Sequence, residues 1–341
     1  MKKVRLGKTE LMVTKTAFGA LPIQRIPVED AVRLVRRAYD AGVNYFDTAN
    51  AYTDSEKKLG LAFEGIRQNV VISTKSMAKD KKTVTEHIEN SLRMLKTNYI
   101  DLFQFHNPAE LPDPGDPDGA FAAALEAKQK GYVRHIGITN HRAHVAKAAI
   151  ESGNFETLQF PFCYLATDIE LDLLKRCGEA DMGFIAMKGL SGGMLNNAAA
   201  CFAFMQRYEN VVPIWGIQHQ WELDQWLALD AAGQQMTDEL RAVIEKDRKE
   251  LVESFCRSCG YCLPCPAEID IPQSARMAQL LRRSPYKPYM SDVWYEKMHR
   301  IENCLHCNAC KSRCPYGLDT PALLAANLRD YDRFYAEHRD D

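Results

Sequence analysis

Eight of the eleven cysteines lie in two short runs near the end of the chain. The first run, CRSCGYCLPCP, extends from Cys256 to Pro266, and the second, CLHCNACKSRCP, extends from Cys304 to Pro315. Two or three residues stand between neighbouring cysteines within a run, so four thiolates can reach one compact inorganic core. The second run has the CxxCxxCxxxCP spacing of bacterial ferredoxins, and the first lacks one residue before its last cysteine. The pattern predicts two [4Fe-4S] clusters.

Zinc is the alternative, because tetrahedral zinc sites also use CxxC pairs. Such sites usually separate two pairs by a longer loop, so four consecutive close cysteines favour iron and sulfide. In two-cluster proteins the fourth cysteine of each run binds the other cluster. The predicted ligands are Cys256, Cys259, Cys262 and Cys314 for the first cluster, and Cys304, Cys307, Cys310 and Cys265 for the second.

A second group of polar residues stands where apolar segments end. Asp47 closes VNYFD, Lys75 follows VVIST, His106 follows IDLFQF, and Tyr52 lies in the loop after Asp47. If these segments are parallel strands of a barrel, their carboxyl ends meet at one rim, where barrel enzymes carry their chemistry. The rim would then hold an acid, an ammonium, an imidazole and a phenol.

Such a set suits a carbonyl that becomes an alkoxide. A phenol has a pKa of about 10 and is a poor acid at neutral pH unless a cation stabilises its anion. Lys75 can be that cation, held in place by Asp47, and His106 can donate a hydrogen bond to a substrate carbonyl. Each residue alone has a plain structural explanation, such as a helix cap for Asp47 or simple packing for Tyr52. Their combination favours catalysis.

The elements that would position these residues alternate between short apolar runs and amphipathic helical patterns from residue 16 to about 232. Strands that are apolar throughout are typical of a parallel sheet covered on both faces, and eight strand–helix units match a closed (β/α)8 TIM barrel. The predicted strands are Thr16–Ala20, Val43–Asp47, Val70–Thr74, Ile100–Phe105, Val133–Ile138, Thr157–Pro161, Gly183–Met187 and Val211–Trp215.

Further features surround this barrel. In the segment VEDAVRLVRRAYDAG, Val32, Val35 and Tyr39 predict the buried face of a helix. The start, VRLGKTELMV, resembles a hairpin that could plug the lower end of the barrel, and the Pro- and Asp-rich segment 107–119 is either a lid or a plain connection. The alternation ends near Gly233. We therefore predict a barrel over residues 1–233 and a small α-helical ferredoxin-like iron–sulfur domain over residues 234–341.

Composition narrows the range of partners. The chain has a net charge of −2 with both signs intermixed, which argues against nucleic acid or an anionic membrane as a partner. No apolar run is long enough to span a bilayer, and the first residues lack an apolar signal core, so we expect a cytoplasmic protein. In a reducing cytosol, cysteine clusters favour metal binding over disulfides. The other three cysteines, Cys163, Cys177 and Cys201, are predicted to be buried core thiols.

The segments FDTANAYTDSEKKLG, VVISTK and IDLFQFH resemble, in order and spacing, the signature segments of the aldo-keto reductase superfamily. The resemblance covers about residues 3–230. It implies that Asp47, Tyr52, Lys75 and His106 form a catalytic tetrad, with Tyr52 as the general acid in reduction and the general base in oxidation. It also implies that hydride comes from NADH or NADPH and that the substrate is a small carbonyl compound or alcohol.

The same resemblance points to contacts with the nicotinamide cofactor. Thr139 and Asn140 in GYVRHIGITNH, together with Gln159, would bind the carboxamide, and Met187 stands where the family commonly stacks a tyrosine. After the last strand, NADPH-preferring relatives place Lys, Ser and Arg around the 2′-phosphate and then Glu-Asn at the adenine, whereas this chain has Glu222, Gln225 and Trp226. Glu222 could accept a hydrogen bond from a free ribose hydroxyl, or it could be a solvated charge on a helix. The choice between NADH and NADPH stays open. The full set of predicted cofactor contacts is Thr139, Asn140, Gln159, Met187, Lys188 and Gln225.

The cysteine-rich tail resembles the all-helical two-cluster ferredoxins and the tail of an aldo-keto reductase subgroup with iron–sulfur motifs. Three functions fit these features. The first is a nicotinamide-dependent reductase whose clusters stabilise the fold, sense redox state or pass electrons to a partner. The second is an electron-transfer or docking protein with a non-catalytic barrel and a ferredoxin or flavodoxin partner. The third is a reductase in which a flavin couples hydride to single electrons.

Overall fold

A computed structural model describes residues 1–251, 256–314 and 316–339. The chain forms two compact units. The first consists of Met1–Gly189 and Ala198–Thr237, and the second of Leu190–Asn197 and Asp238–Asp341. These units divide after Thr237, whereas the sequence predicts a domain boundary near Gly233, and Leu190–Asn197 groups with the second unit.

The first unit is a closed barrel of eight parallel strands. Each strand pairs with its neighbour in sequence, and the last strand pairs with the first, so the sheet has no open edge. All eight predicted strands are present, with ends that differ by up to two residues. They are β3 (Ala17–Gly19), β4 (Tyr45–Asp47), β5 (Val71–Ser76), β6 (Ile100–His106), β7 (Val133–Thr139), β8 (Thr157–Pro161), β9 (Gly183–Met187) and β10 (Val211–Gly216).

One helix follows each barrel strand, as a (β/α)8 fold requires. In the first of these helices the buried residues are Ala31, Leu34, Val35 and Ala38, so the predicted burial is confirmed for Val35, whereas Val32 and Tyr39 are only partly buried. The helices are α1 (Val28–Asp40), α2 (Ser55–Ala62), α3 (Lys81–Met94), α4 (Ala120–Gln129), α5 (Ala143–Ser152), α6 (Asp168–Glu179), α7 (Ala198–Gln206) and α8 (Gln220–Ala231), with short 3₁₀ helices at Pro22–Arg25 and Arg67–Asn69.

An antiparallel hairpin precedes the barrel, formed by β1 (Lys3–Arg5) and β2 (Met12–Thr14). Its residues Leu6 and Val13 are almost fully buried in one apolar cluster with residues of five barrel strands, among them Leu102. Gly7 forms a bridge to Met182, just before β9. The hairpin therefore closes the amino-terminal end of the barrel, as the sequence predicted.

The second unit is helical over its described residues. Apart from a short helix at Ala309–Ser312, the described part of the cysteine runs is irregular, and several of its residues have a positive φ, including Ser258, Gly260, His306 and Asn308. Residues 252–255, Pro315 and residues 340–341 lie outside the described residues, so the proline of the second run is not assigned. The helices are α9 (Asp238–Leu251), α10 (Ile271–Ser274), α11 (Met277–Arg283), α12 (Asp292–His299), α13 (Ala309–Ser312) and α14 (Thr320–His338), with 3₁₀ helices at Lys287–Met290 and Arg300–Asn303.

Candidate functional site

A buried ion pair lies at the carboxyl-terminal end of the barrel strands. The Lys75 Nζ donates to Asp47 Oδ2 at 2.6 Å and to the Thr48 carbonyl at 2.6 Å. Lys75 is 1% exposed and Asp47 is 2% exposed. A lysine ammonium has three N–H donors, so these two bonds leave one for a further acceptor.

Tyr52 and His106 complete this group at the rim. The Lys75 Nζ lies 5.3 Å from the centroid of the Tyr52 ring. The Tyr52 and His106 rings meet edge to face with centroids 5.9 Å apart. The four side chains of the predicted tetrad therefore lie together at one mouth of the barrel.

Burial determines the protonation of the two rings. Burial raises the pKa of Tyr52 above its usual value, and the Asp47 charge adds to this, whereas the Lys75 charge acts in the opposite direction. The sequence analysis considered only the effect of Lys75 on the pKa of Tyr52, and the effect of burial is larger. Burial and the Lys75 charge lower the pKa of His106 to about 3, so the imidazole is neutral at ordinary pH. A neutral imidazole can still donate one N–H bond.

The structure adds three polar residues that the sequence analysis missed. Ser73 Oγ donates to Asp47 Oδ1 at 2.6 Å, and Gln104 Nε2 approaches the same oxygen at 3.4 Å. Glu56, which is 4% exposed, accepts a bond of 2.5 Å from Thr74 and is close enough to Lys75 for their charges to interact. Ser73 and Gln104 interrupt apolar strands, which is a signal that the sequence analysis could have used; Glu56 gives no such signal.

Three of the predicted cofactor contacts converge on the strands opposite the ion pair. Thr139 Oγ1 and Gln159 Nε2 each lie 3.9 Å from the sulfur of Met187. Thr139 and Gln159 are each 2% exposed, and Met187 is partly exposed. A thioether is a weak acceptor, so both donors can turn to a stronger one, such as an amide oxygen.

The other predicted contacts have different surroundings. Asn140 is committed to the protein: its Nδ2 donates to the Pro108 carbonyl at 2.8 Å, and its Oδ1 accepts from the backbone N–H of His141 and of Arg142. Lys188 follows Met187 with a positive φ and is partly buried. Gln225 lies exposed on α8.

Two residues expected near the nucleotide stabilise the fold. Glu222 Oε2 accepts the backbone N–H groups of Gln218 and His219, at 2.6 and 2.8 Å, in a capping box at the start of α8. Trp226 is 2% exposed and stacks on Trp215 with ring centroids 3.9 Å apart. These bonds use Oε2, and Oε1 can still accept a bond, so the contact of Glu222 with a ribose hydroxyl stays a prediction.

The long segment 107–119 borders a pocket of about 500 Å³. The pocket is also lined by His106 and by the segment from Ser76 to Lys79, after β5. This size is within the range of small-molecule sites. The segment thus forms a wall of the cavity next to the tetrad.

The eight cysteines of the two runs line two neighbouring cavities in the second unit. Each cavity contains the four cysteines predicted for one cluster, together with one cysteine of the other set. The first is lined by Cys256, Cys259, Cys262, Cys314 and Cys310. The second is lined by Cys304, Cys307, Cys310, Cys265 and Cys262.

The chemistry of these cavities fits iron–sulfur cores. The Cys256 thiol accepts a backbone hydrogen bond from Ser258, and the Cys310 thiol accepts one from Lys311. Backbone turned by positive φ values directs N–H groups inward and forms the concavities that hold anionic clusters. Among the described residues, no three His, Cys, Asp or Glu side chains converge closely enough to hold one metal ion. Thiolates around a cube need not converge on one point, because each binds a different iron atom.

The three remaining cysteines are buried in the first unit, at 8% (Cys163), 1% (Cys177) and 1% (Cys201) exposure. Burial raises the pKa of Cys177 to about 12. They are core thiols, as predicted. No described helix is both long and apolar enough to cross a membrane.

Comparison with protein families gives two matches. Residues 15–248 match the model of the aldo/keto reductase family. Residues 255–319 match the 4Fe-4S dicluster domain.

Curated relatives resemble the barrel part at modest identity. An uncharacterized oxidoreductase of Bacillus subtilis is 28% identical over 176 residues, covering 48% of this chain and 56% of its own length. The L-galactose dehydrogenase of Arabidopsis thaliana is 29% identical over 214 residues, covering 56% of this chain and 66% of its own length. The chain thus spans between half and two thirds of these relatives.

Solved structures share the fold. An aldo-keto reductase from Bacillus halodurans in its holo form has a TM-score of 0.64 and 23% identity, covering 72% of this chain and 96% of that one. An aldo/keto reductase from Klebsiella pneumoniae in complex with NADP and acetate has a TM-score of 0.62 and 23% identity, covering 72% and 94%.

Proposed function

This chain belongs to the aldo/keto reductase family and carries a 4Fe-4S dicluster domain, and from that premise we propose that it reduces an aldehyde or ketone with a nicotinamide cofactor, or oxidises the corresponding alcohol. The observation that carries the proposal is the buried Lys75–Asp47 pair at 2.6 Å, with the Tyr52 ring 5.3 Å from the ammonium. A cation buried beside a phenol is what proton transfer to a developing alkoxide requires.

Each side chain has a role in this proposal. Tyr52 gives its hydroxyl proton to the carbonyl oxygen in reduction and takes it back in oxidation. Lys75 stabilises the phenolate that remains, and Asp47 keeps the ammonium charged and fixed. His106, neutral because of its lowered pKa, donates one N–H bond that orients the carbonyl.

The residues opposite the tetrad fit a nicotinamide. Within the described part of the chain, the Thr139 hydroxyl and the Gln159 amide group each donate to the Met187 sulfur at 3.9 Å, and a thioether is a weak acceptor. They would bind the carboxamide, and the Met187 thioether would pack against the ring. The bound cofactor would supply hydride to the carbonyl carbon. NADP in the Klebsiella pneumoniae structure makes NADPH the first cofactor to test, with NADH beside it, because Asn140, Lys188 and Gln225 do not distinguish the two.

The second unit would hold two [4Fe-4S] clusters, the first on Cys256, Cys259, Cys262 and Cys314 and the second on Cys304, Cys307, Cys310 and Cys265. The composition of the two cavities supports this crossed ligation. Cys307 is exposed, whereas Cys310 is buried. We expect these clusters to exchange single electrons with a small redox protein, for which a ferredoxin or flavodoxin is the candidate to test.

The central test is Tyr52→Phe in anaerobically purified, iron-loaded protein. We expect the rate of carbonyl reduction to fall by about 10²- to 10⁴-fold, because the proton donor is lost. Nicotinamide affinity, measured by fluorescence titration, should stay within about twofold, because the phenol oxygen does not bind the cofactor. The measurement is oxidation of reduced nicotinamide over a panel of aldehydes and ketones.

Tyr132→Phe is the matched control, because this tyrosine is 40% exposed and lies outside the tetrad. Its rates should equal those of the native protein. Unchanged turnover in Tyr52→Phe would exclude Tyr52 as the acid. A native protein that binds neither NADH nor NADPH would instead favour a non-catalytic barrel.

A further inference from the structure

Arg276 is a buried cation with an incomplete set of partners. It is 6% exposed and caps the start of α11. The Nη2 atom of Arg276 donates to Gln273 Oε1 at 3.2 Å. Its Nε is buried and has no hydrogen-bond partner within the described ranges. A guanidinium in this state is costly, since it cannot shed its charge at ordinary pH.

The surroundings of Arg276 include the first cysteine run. Burial lowers the pKa of the Arg276 guanidinium, and the charge of the Cys256 thiol nearby acts in the opposite direction. Ala275, the residue before it, lines the first cavity. The Nη1 atom of Arg276 packs against Gly192: it lies 3.1 Å from the point that a Cβ on this glycine would occupy, so a larger residue at position 192 would crowd the guanidinium.

The second cavity has different electrostatics. No Arg or Lys among the described residues lines this cavity. The two cavities thus have similar sulfur ligands, but Arg276 directly follows a residue, Ala275, that lines the first cavity and not the second.

We propose that Arg276 raises the reduction potential of the first cluster, the one held by Cys256, Cys259, Cys262 and Cys314, above the value this cluster would have without the cation. The inference rests on the ligand assignment made under the proposed function. Four thiolates give the cluster a net negative charge, and reduction by one electron adds another without making or breaking a bond. A buried cation stabilises the reduced form more than the oxidised form, and charges near a cluster are among the factors that set its potential.

This interaction also explains the cost of burying Arg276. A charge inside a protein is tolerated when an opposite charge accompanies it. Gln273 is neutral and occupies one of the five N–H donors. A bound cluster would supply the missing anion beside this residue, whose Nε is buried without a partner among the described residues.

The test is a redox titration with dithionite, followed by electron paramagnetic resonance, on the iron-loaded full chain and on Arg276→Gln. We expect the midpoint potential of one cluster to fall, with its one-electron reduction equilibrium weakened about tenfold, which corresponds to about 59 mV. The potential of the other cluster should stay where it is. Cys259→Ser, which alters the spectrum of the first cluster only, assigns the shifted signal.

Two further variants separate charge from packing. Arg276→Lys keeps the cation, so its shift should be clearly smaller than that of Arg276→Gln. Arg283→Gln is the control, because Arg283 is also largely buried but is paired with Asp247 and Glu250. It should leave both potentials unchanged.

The outcomes distinguish this inference from the function on which it rests. A native protein that fails to bind two clusters, by iron and sulfide content, refutes the ligand assignment itself. Two clusters with potentials that Arg276→Gln leaves unchanged, or shifts as much as Arg276→Lys does, refute the role of the charge. If Arg276→Gln and Arg276→Met lose the first cluster while Arg276→Lys retains it, the charge interaction is supported; loss from all three indicates packing alone and overturns the proposal.

Discussion

At the scale of single residues, the molecule depends on a charged pair that would be unfavourable in most protein interiors. Removing one partner of such a pair usually costs about 3–5 kcal/mol, because an uncompensated charge is left behind. Lys75 and Asp47 are accompanied by the Thr48 carbonyl and the Ser73 hydroxyl, so both charges have additional hydrogen bonds. Substitutions of Lys75 will therefore mix catalytic effects with stability effects, whereas Tyr52→Phe will not.

The protonation states of His106 and Tyr52 predict the pH dependence of turnover. Reduction needs a protonated Tyr52, whose pKa burial raises, and His106 is neutral above pH of about 3. The kcat/KM for reduction should therefore be level between about pH 5 and 9 and fall only at higher pH. Oxidation needs the phenolate, so its kcat/KM should rise with pH over the same range.

Initial rates in overlapping buffers measure both profiles. A change in the reduction profile near pH 6.5, the usual pKa of histidine, would contradict a buried neutral His106. His106→Gln provides the control: it should lower the rate without changing the pH at which the alkaline decrease begins, because that decrease belongs to Tyr52.

At the scale of elements, the amino-terminal hairpin acts as the floor of the barrel. Leu6, at its turn, is 1% exposed and lies in the apolar cluster with Tyr45 and Val212. We expect Leu6→Ala to lower the free energy of unfolding by about 2–5 kcal/mol, because it leaves a cavity under the barrel. Met12→Ala, on the same hairpin but 51% exposed, should change it by less than about 0.5 kcal/mol.

Chemical denaturation followed by tryptophan fluorescence gives both values. Equal losses in the two variants would mean that the hairpin contributes through its backbone pairing and not through the side chain of Leu6. The rate of carbonyl reduction should be unchanged in either variant, since the tetrad lies at the other end of the strands.

The strands could be predicted from sequence because each is a short, mostly apolar run, and this signal does not depend on neighbours far along the chain. The buried face of α1 could not be predicted fully. Val32 is more hydrophobic than Ala31, yet Ala31 is the more buried of the two, because tertiary packing decides which side of the helix is covered. The rim residues were predictable in position, since they follow the strands. The role of Glu222 in a capping box could not be predicted, because an acidic residue at the start of a helix is compatible both with a capping box and with a contact to ribose.

At the scale of the whole molecule, the second unit has little regular structure around its cysteines. We expect removal of iron to unfold the segment 256–314 while the barrel stays folded, because clusters supply much of the stability of small metal-bound domains. Hydrogen exchange measured by mass spectrometry should show protection lost in α11 and α12 and retained in β5 and β6. Apoprotein that keeps native protection throughout would show that the helices fold without the clusters.

The segment Leu190–Asn197 lies within the barrel sequence but groups with the second unit, so the two units cannot be separated by a single cut in the chain. Met194 and Leu195, at 0% and 1% exposure, belong to that segment, and Arg283 holds the Met194 carbonyl at 3.2 Å. A chain that ended after Thr237 would lack most of the second unit. The apolar side chains of Met194 and Leu195 would then become exposed to solvent in an internal loop of the barrel sequence. Grafting the iron–sulfur portion onto another reductase would thus require rewriting an internal loop as well as adding a tail.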